Sequence, residues 1–226
     1  MAQFWPYAGM LALICGLYFF EKRHHETVTR LEENLIASIL AIITLVSFAQ
    51  VIARYGFNTG WGGALEFTRI LFAWMILFGM SYGIKVGMHL GVDALLRLFP
   101  HKVFRFLAIF GAVCAFLYAA ILISATWLSF FGANSKGGAV DYWSKMFQLG
   151  IGLDDLRYPE WFQNTFGVQE RVQRWIAYLI LPIGLSLFAF RSLQAIVAIW
   201  RGERELIIAG HEAEDLVAEN KDILKD

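Results

Sequence analysis

The chain has 226 residues, a formal charge of zero, and 58% hydrophobic residues against 17% charged. A mean hydropathy of +0.54 with so little charge excludes an ordinary water-soluble domain, whose surface carries far more charge. The composition predicts an all-α integral membrane protein, and its neutrality argues against nucleic acid as a partner.

Phe4 to Phe20 is an apolar run of seventeen residues. It lacks the basic flank and small-residue cleavage site of a secretory signal, so it is expected to persist as an extra apolar helix. Residues 1–34 are read as that helix and a cytoplasmic linker carrying Lys22, Arg23 and Arg30. Leu35 to Ala53 is long enough to cross about 30 Å of hydrocarbon and is closed by Arg54. A second core span covers Ile70 to Ile84, with Phe67, Thr68 and Arg69 starting it inside protein or interface. At its head stand Glu66 and Arg69, three residues apart and so able to neutralise one another on a helix.

Gly79, Gly83, Gly87 and Gly91 follow one another at intervals of four. On a helix they form a stripe without side chains, which in lipid lets another backbone approach. Beyond Lys85 the pattern turns amphipathic. Lys85, His89, Asp93 and Arg97 recur every four residues, as on an interfacial helix that ends before Pro100. Phe106 to Phe131 is a third core span, and Trp175 to Trp200 a fourth, with Pro182 as a kink whose freed carbonyl neighbouring groups satisfy. Between them, residues 132–173 form a long loop rich in Trp, Tyr and Phe, read as short helices on the outer surface. Residues 201–226 make a charged tail. Lys and Arg concentrate in 21–34, 85–105 and the tail, which places these segments and the carboxyl terminus in the cytoplasm.

The five histidines, His24, His25, His89, His101 and His211, all lie in connections or the tail. A haem held between membrane helices needs them mid-span, so no metal or cofactor is expected. Cys15 and Cys114 sit in apolar runs and read as small buried hydrophobes, not a disulfide. Nothing suggests a catalytic nucleophile, so the chain is not read as an enzyme. A carrier should show ionisable groups at mid-membrane. Here Glu66, Arg69, Lys85 and Arg191 fall near span ends, which favours an accessory subunit over a self-contained carrier.

The run Gln50-Val51-Ile52-Ala53-Arg54-Tyr55, then Glu66-x-x-Arg69, Phe72-x-Trp74, Gly79 and Lys85-x-Gly87-x-His89-x-Gly91-Val92-Asp93, resembles the small membrane subunit of tripartite ATP-independent periplasmic (TRAP) transporters, called DctQ-like. Leu181-Pro182-Ile183-Gly184 and Arg191 extend the likeness to about residue 200. The resemblance implies a four-helix membrane domain over 35–200 in a bacterial inner membrane. It also implies a large sodium-coupled transport subunit as partner, braced by this chain, and a periplasmic binding protein that delivers an organic acid. The long outer loop is similar to the subgroup for four-carbon dicarboxylates.

On this reading Glu66, Arg69, Trp74, Gly79, Gly83 and Gly87 meet the large subunit. His89 and Asp93 brace the interfacial helix, while Lys85, Arg97 and Arg105 hold membrane lipid phosphates. Two other readings stay open. A homodimeric carrier needs Glu66 or Arg191 to face a water-filled cavity, and a redox-enzyme anchor needs bound haem.

Overall fold

The structure, a computed structural model, describes residues 4–86 and 100–202, with the side chains of His25, Glu26, His101 and Lys102 left aside. Gly87, His89, Gly91, Asp93, Arg97 and the tail 203–226 lie outside the described residues. Helix α1 spans Trp5–Arg23, α2 His25–Gly56, α3 Ala64–Val86 and α4 His101–Ile123. The outer segment holds a 3₁₀ turn at Thr126–Phe131, α5 at Ala139–Leu149 and strand β1 at Gly152–Arg157. It continues with α6 at Glu160–Phe166 and β2 at Arg171–Gln173. The last helix is broken into α7 (Arg174–Tyr178) and α8 (Ile180–Arg201).

Among the described residues, four helical stretches are long and apolar enough to cross a membrane: Thr27–Gly56, Ala64–Val86, Val103–Ile123 and Arg174–Arg201. The main contacts order them as α2, α3, α8, α4, with α8 between α3 and α4. Burial follows from that placement. Half of the α7–α8 span is inside the protein, against 6% of the α2 span, whose Leu45, Phe48 and Val51 are exposed. In a bilayer those side chains meet lipid at no cost. Cys15 and Cys114 are likewise exposed and free, where the sequence had suggested burial; apolar surface faces outward here because the solvent is hydrocarbon.

The seam between α4 and α8 is made of small residues. Ala108, Ala112 and Ala119 of α4 are almost fully buried, with Ala115 partly buried between them. Their 4-3-4 spacing keeps one face of the helix toward its neighbour. On the other side, Gly184 of α8 receives Leu77 of α3, and a Cβ at Gly184 would lie 2.7 Å from the Leu77 Cβ. This contact is how α3 and α8 approach.

The span expected to run to Phe131 stops at Ile123. Ser124 is extended, and the chain returns so that Gly138 passes against the last turn of α4. A Cβ at Gly138 would meet the Ile123 carbonyl oxygen, so only glycine fits there. Pro182 breaks the last span as expected, with Leu179 between α7 and α8. Two indoles bind carbonyls at this break: Trp74 Nε1 donates to Ala177 at 3.0 Å and Trp143 Nε1 to Trp175 at 3.0 Å.

The outer segment contains the expected short helices and also an antiparallel pair, β1 with β2. Leu153 and Leu156 of β1 are buried while Asp154 and Asp155 are exposed, and the register shifts between Gly152 and Arg157. That i, i+3 pattern of apolar residues in GLDDLR does not read as a strand, which is why the pair was not anticipated.

Helix α1 has 19 residues, about 28 Å at 1.5 Å each, close to the hydrocarbon thickness. Trp5 meets Trp143 and Phe147 of the outer segment, with ring centroids 5.5 and 5.6 Å apart. At its other end Glu21 meets α3 and α8. It therefore runs from one end of the helical layer to the other, although Pro6, Glu21 and Lys22 dilute its hydropathy.

Candidate functional site

Four charged side chains from four helices converge near the carboxyl-terminal end of α1. Arg191 of α8 donates from Nη1 to Glu21 Oε2 of α1 at 2.5 Å and from Nη2 to Glu32 Oε1 of α2 at 2.7 Å. Lys85 of α3 reaches Glu32 Oε2 at 2.7 Å and Glu21 Oε1 at 3.2 Å. Each carboxylate thus bridges both cations, and the set is neutral. Arg191 Nη1 is further held by the Gln194 amide oxygen at 2.8 Å, and the guanidinium stands 5.5 Å from the Phe190 ring centre.

The side chains of Glu21 and Lys85 are each 9% exposed, Arg191 5% and Glu32 25%. At that burial a lone charge would be expensive, and mutual pairing with hydrogen bonds to most available sites is what makes the set tolerable. Lys85 is therefore directed at two carboxylates, where the sequence had suggested lipid phosphate. Its stem lies on the inward side of α3 with Ser81 and Ile84, both buried. Arg105 donates from Nη2 to the Trp200 carbonyl at 2.5 Å, tying the start of α4 to the end of α8.

Glu66 serves the outer segment. Its Oε2 accepts the amides of Asp155 and Leu156 at 2.7 and 2.8 Å, and Oε1 that of Asp154 at 3.4 Å. The register shift in β1 turns these amides out of the ladder, and one carboxylate gathers them. Among the described residues Glu66 and Arg69 do not form the pair their spacing suggested, because Glu66 points toward β1 while Arg69 is exposed. Trp74 is half-buried and anchors the α7–α8 break within this chain.

Among the described residues nothing packs closely on Gly79 or Gly83, for a Cβ built at either would find no neighbouring atom within 4 Å. They continue a stripe formed by Leu65, Arg69, Phe72 and Ile76, where the spacing is 4-3-4-3-4. Leu65, Phe72 and Ile76 are 60%, 52% and 44% exposed. This face is turned away from Leu77, Ser81 and Ile84, which pack inward.

Sequence reasoning brought out Lys85 and Arg191 but missed Glu21 and Glu32. The available signal was electrostatic. Two cations at the ends of apolar helices require two buried acids, and Glu21 closes the first apolar run.

The chain matches the family described as tripartite ATP-independent periplasmic transporters, DctQ component, over residues 43–202. It is 35% identical over 82% of its length to a C4-dicarboxylate TRAP transporter small permease protein DctQ of Vibrio cholerae, covering 78% of that protein. A protein of the same description in Pseudomonas aeruginosa is 30% identical over 82% of this chain and 90% of its own length. A third relative, the sialic acid TRAP transporter permease protein SiaT of Haemophilus influenzae, is 26% identical over 51% of this chain, which covers 20% of that protein. No solved structure gives a significant match.

Proposed function

From the premise that this chain belongs to the DctQ component family of the tripartite ATP-independent periplasmic transporters, we propose that it is the small permease subunit of a four-carbon dicarboxylate transporter, bracing a large transport subunit within the inner membrane. The observation that carries the bracing role is the bare face of α3. Leu65, Arg69, Phe72, Ile76, Gly79 and Gly83 form a seam with coiled-coil spacing, and none of the described residues covers it. Its glycines give a partner backbone room to approach, while its apolar residues supply packing surface. Arg69 in the seam is placed to meet a carboxylate or carbonyl of the partner. In SiaT a stretch like this chain forms about a fifth of a longer permease, which agrees with a lasting association.

The charge cluster supports a scaffold in place of a carrier. A self-contained carrier needs Glu66 or Arg191 open to a water-filled cavity, but Glu66 is engaged by β1 amides and Arg191 by Glu21 and Glu32. The outer segment, rich in exposed Trp161, Phe166 and Tyr142, is the surface suited to a transient binding-protein contact. The concentration of basic residues in 21–34, 85–105 and 201–226 supports a cytoplasmic carboxyl terminus. With that sidedness α1 begins on the periplasmic side.

Affinity purification of the tagged chain from its native membrane, with mass spectrometry of the retained proteins, tests this reading. A stoichiometric multi-span permease is expected. Recovery of a homodimer alone, with dicarboxylate uptake by that dimer in liposomes, would reject it.

A further inference from the structure

Helix α1 is buried only near its ends, with side contacts to α8 between them. Its buried residues are Pro6 and Glu21 alone among those described, with Trp5 pinned to the outer aromatic cluster and Glu21 to the charge cluster. In the second turn of α1 the Met10 sulfur lies 3.1 Å from the Ser186 hydroxyl of α8, which donates its proton to the Pro182 carbonyl at 2.5 Å. Between this contact and Glu21, Tyr18 meets the Phe190 ring of α8 on one flank, with centroids 6.3 Å apart, and on the other flank a cleft of about 290 Å³ opens against α2, α3 and α8. Leu13, Leu17 and Phe20 form one wall and Leu31, Leu35 and Phe78 much of the other.

The cleft is apolar, and the carboxylate at its edge, Glu32, is already neutralised by Lys85 and Arg191. Water gains no partners in such a space, whereas leaving it empty forfeits the dispersion contacts of every lining side chain. Phe20, Leu31 and Leu35 remain 47%, 56% and 42% exposed, so the cleft is open between α1 and α2. Leu31 and Leu35 belong to the apolar stretch Thr27–Gly56, which is long enough to cross a membrane. The mouth is basic. Arg23 follows Phe20 by three residues on the same side of α1 and is exposed, and the His24 ring rests against Phe20 at 5.4 Å.

We propose that this cleft is a binding site for one acyl chain of an anionic phospholipid, with the lipid phosphate held by Arg23 at the mouth. The lipid completes the seat of α1, filling the space that protein contacts leave between the aromatic pin and the ionic pin. It belongs to the leaflet at the carboxyl-terminal end of α1. The site is independent of which transporter the chain serves.

Native mass spectrometry of the full chain, purified with its membrane partners and washed in detergent, tests this directly. One phospholipid per chain is expected to persist when the bulk is stripped. Leu17→Trp, which fills the cleft, should reduce that retained fraction about tenfold. Leu13→Trp repeats the filling from a second position, and Leu45→Trp on the exposed face of α2 should leave retention unchanged. Arg23→Gln should keep the site but shift its preference from phosphatidylglycerol toward phosphatidylethanolamine. Adding phosphatidylglycerol back to delipidated chain should raise its thermal midpoint and saturate at one per chain; inorganic phosphate should not. Retention unaffected by both filling variants, or lost equally in Leu45→Trp, would overturn the proposal. So would a photo-crosslinker at Leu31 in the purified complex that captures polypeptide in place of phospholipid.

Discussion

Glu21 illustrates how one side chain can decide where a helix sits. It belongs to a helix with almost no other buried residue, yet its carboxylate lies between the two cations of α3 and α8. Glu21→Gln should leave Lys85 and Arg191 facing Glu32 alone. Breaking a buried pair in this way costs about 3–5 kcal/mol, and a large drop in the thermal midpoint of the solubilised chain is expected. Glu21→Met combined with Arg191→Met should cost less than the two single changes added, because Lys85 and Glu32 remain matched. An additive loss would show that the four charges do not act as a set. Glu66 has a different task. Glu66→Ala strands the amides of 154–156, a penalty of about 1–3 kcal/mol for a buried group and less here where they are partly exposed. Hydrogen exchange should accelerate over residues 152–157, while Arg69→Ala should leave that region unchanged. At this scale the sequence shows that Lys85 and Arg191 need partners, but not which acids supply them. Glu21 and Glu32 stand in what reads as a polar connection, and only the sharp reversal at His24 brings them beneath the same guanidinium.

Elements made the small residues easy to see and their roles hard to separate. Gly79 and Gly83 of α3 stand four residues apart, and on a 3.6-residue helix that step turns about 40°. The buried alanines of α4 alternate four and three, so they hold one face and pack against α8 within the chain. Among the described residues Gly79 and Gly83 have no close neighbour, whereas Gly184 makes a close contact against Leu77. The two kinds of glycine should therefore respond differently. Gly184→Leu should disturb the α3–α8 contact and lower the yield of folded chain, since the added side chain collides with Leu77. Gly83→Leu should leave folding and thermal midpoint of the isolated chain nearly unchanged but reduce recovery of the large subunit. Equal loss of folded chain in both variants would mean that α3 has a packing neighbour on its outer side. The four spans themselves were legible from apolar runs and charges, as was the break near Pro182. Helix ends were less so, because Ser124, Gly138 and the outer sheet are set by contacts distant in sequence.

The described residues make a layer of four spans with α8 central, a fifth helix laid over one side, and on the other a seam that none of them covers. Charge and aromatic pins hold α1 at its two ends, so the layer has one side committed to its own chain. The side presented by Leu65, Phe72 and Ile76 is available for a partner. That asymmetry suits a subunit that must stay rigid while a larger one moves. The family was recognisable from the Glu66-x-x-Arg69 and Lys85-to-Asp93 motifs, while the two-sided arrangement required knowing which helices are neighbours.

Photo-crosslinking in native membranes from a benzoylphenylalanine at Ile76 tests the central claim most directly, and it avoids confusion from the exposed Cys15 and Cys114. The same probe at Leu45 of α2 serves as the lipid-facing reference. The account predicts an adduct between Ile76 and a large membrane permease, weakened by Gly83→Leu. Adducts from Ile76 that contain only lipid or a second copy of this chain would contradict it.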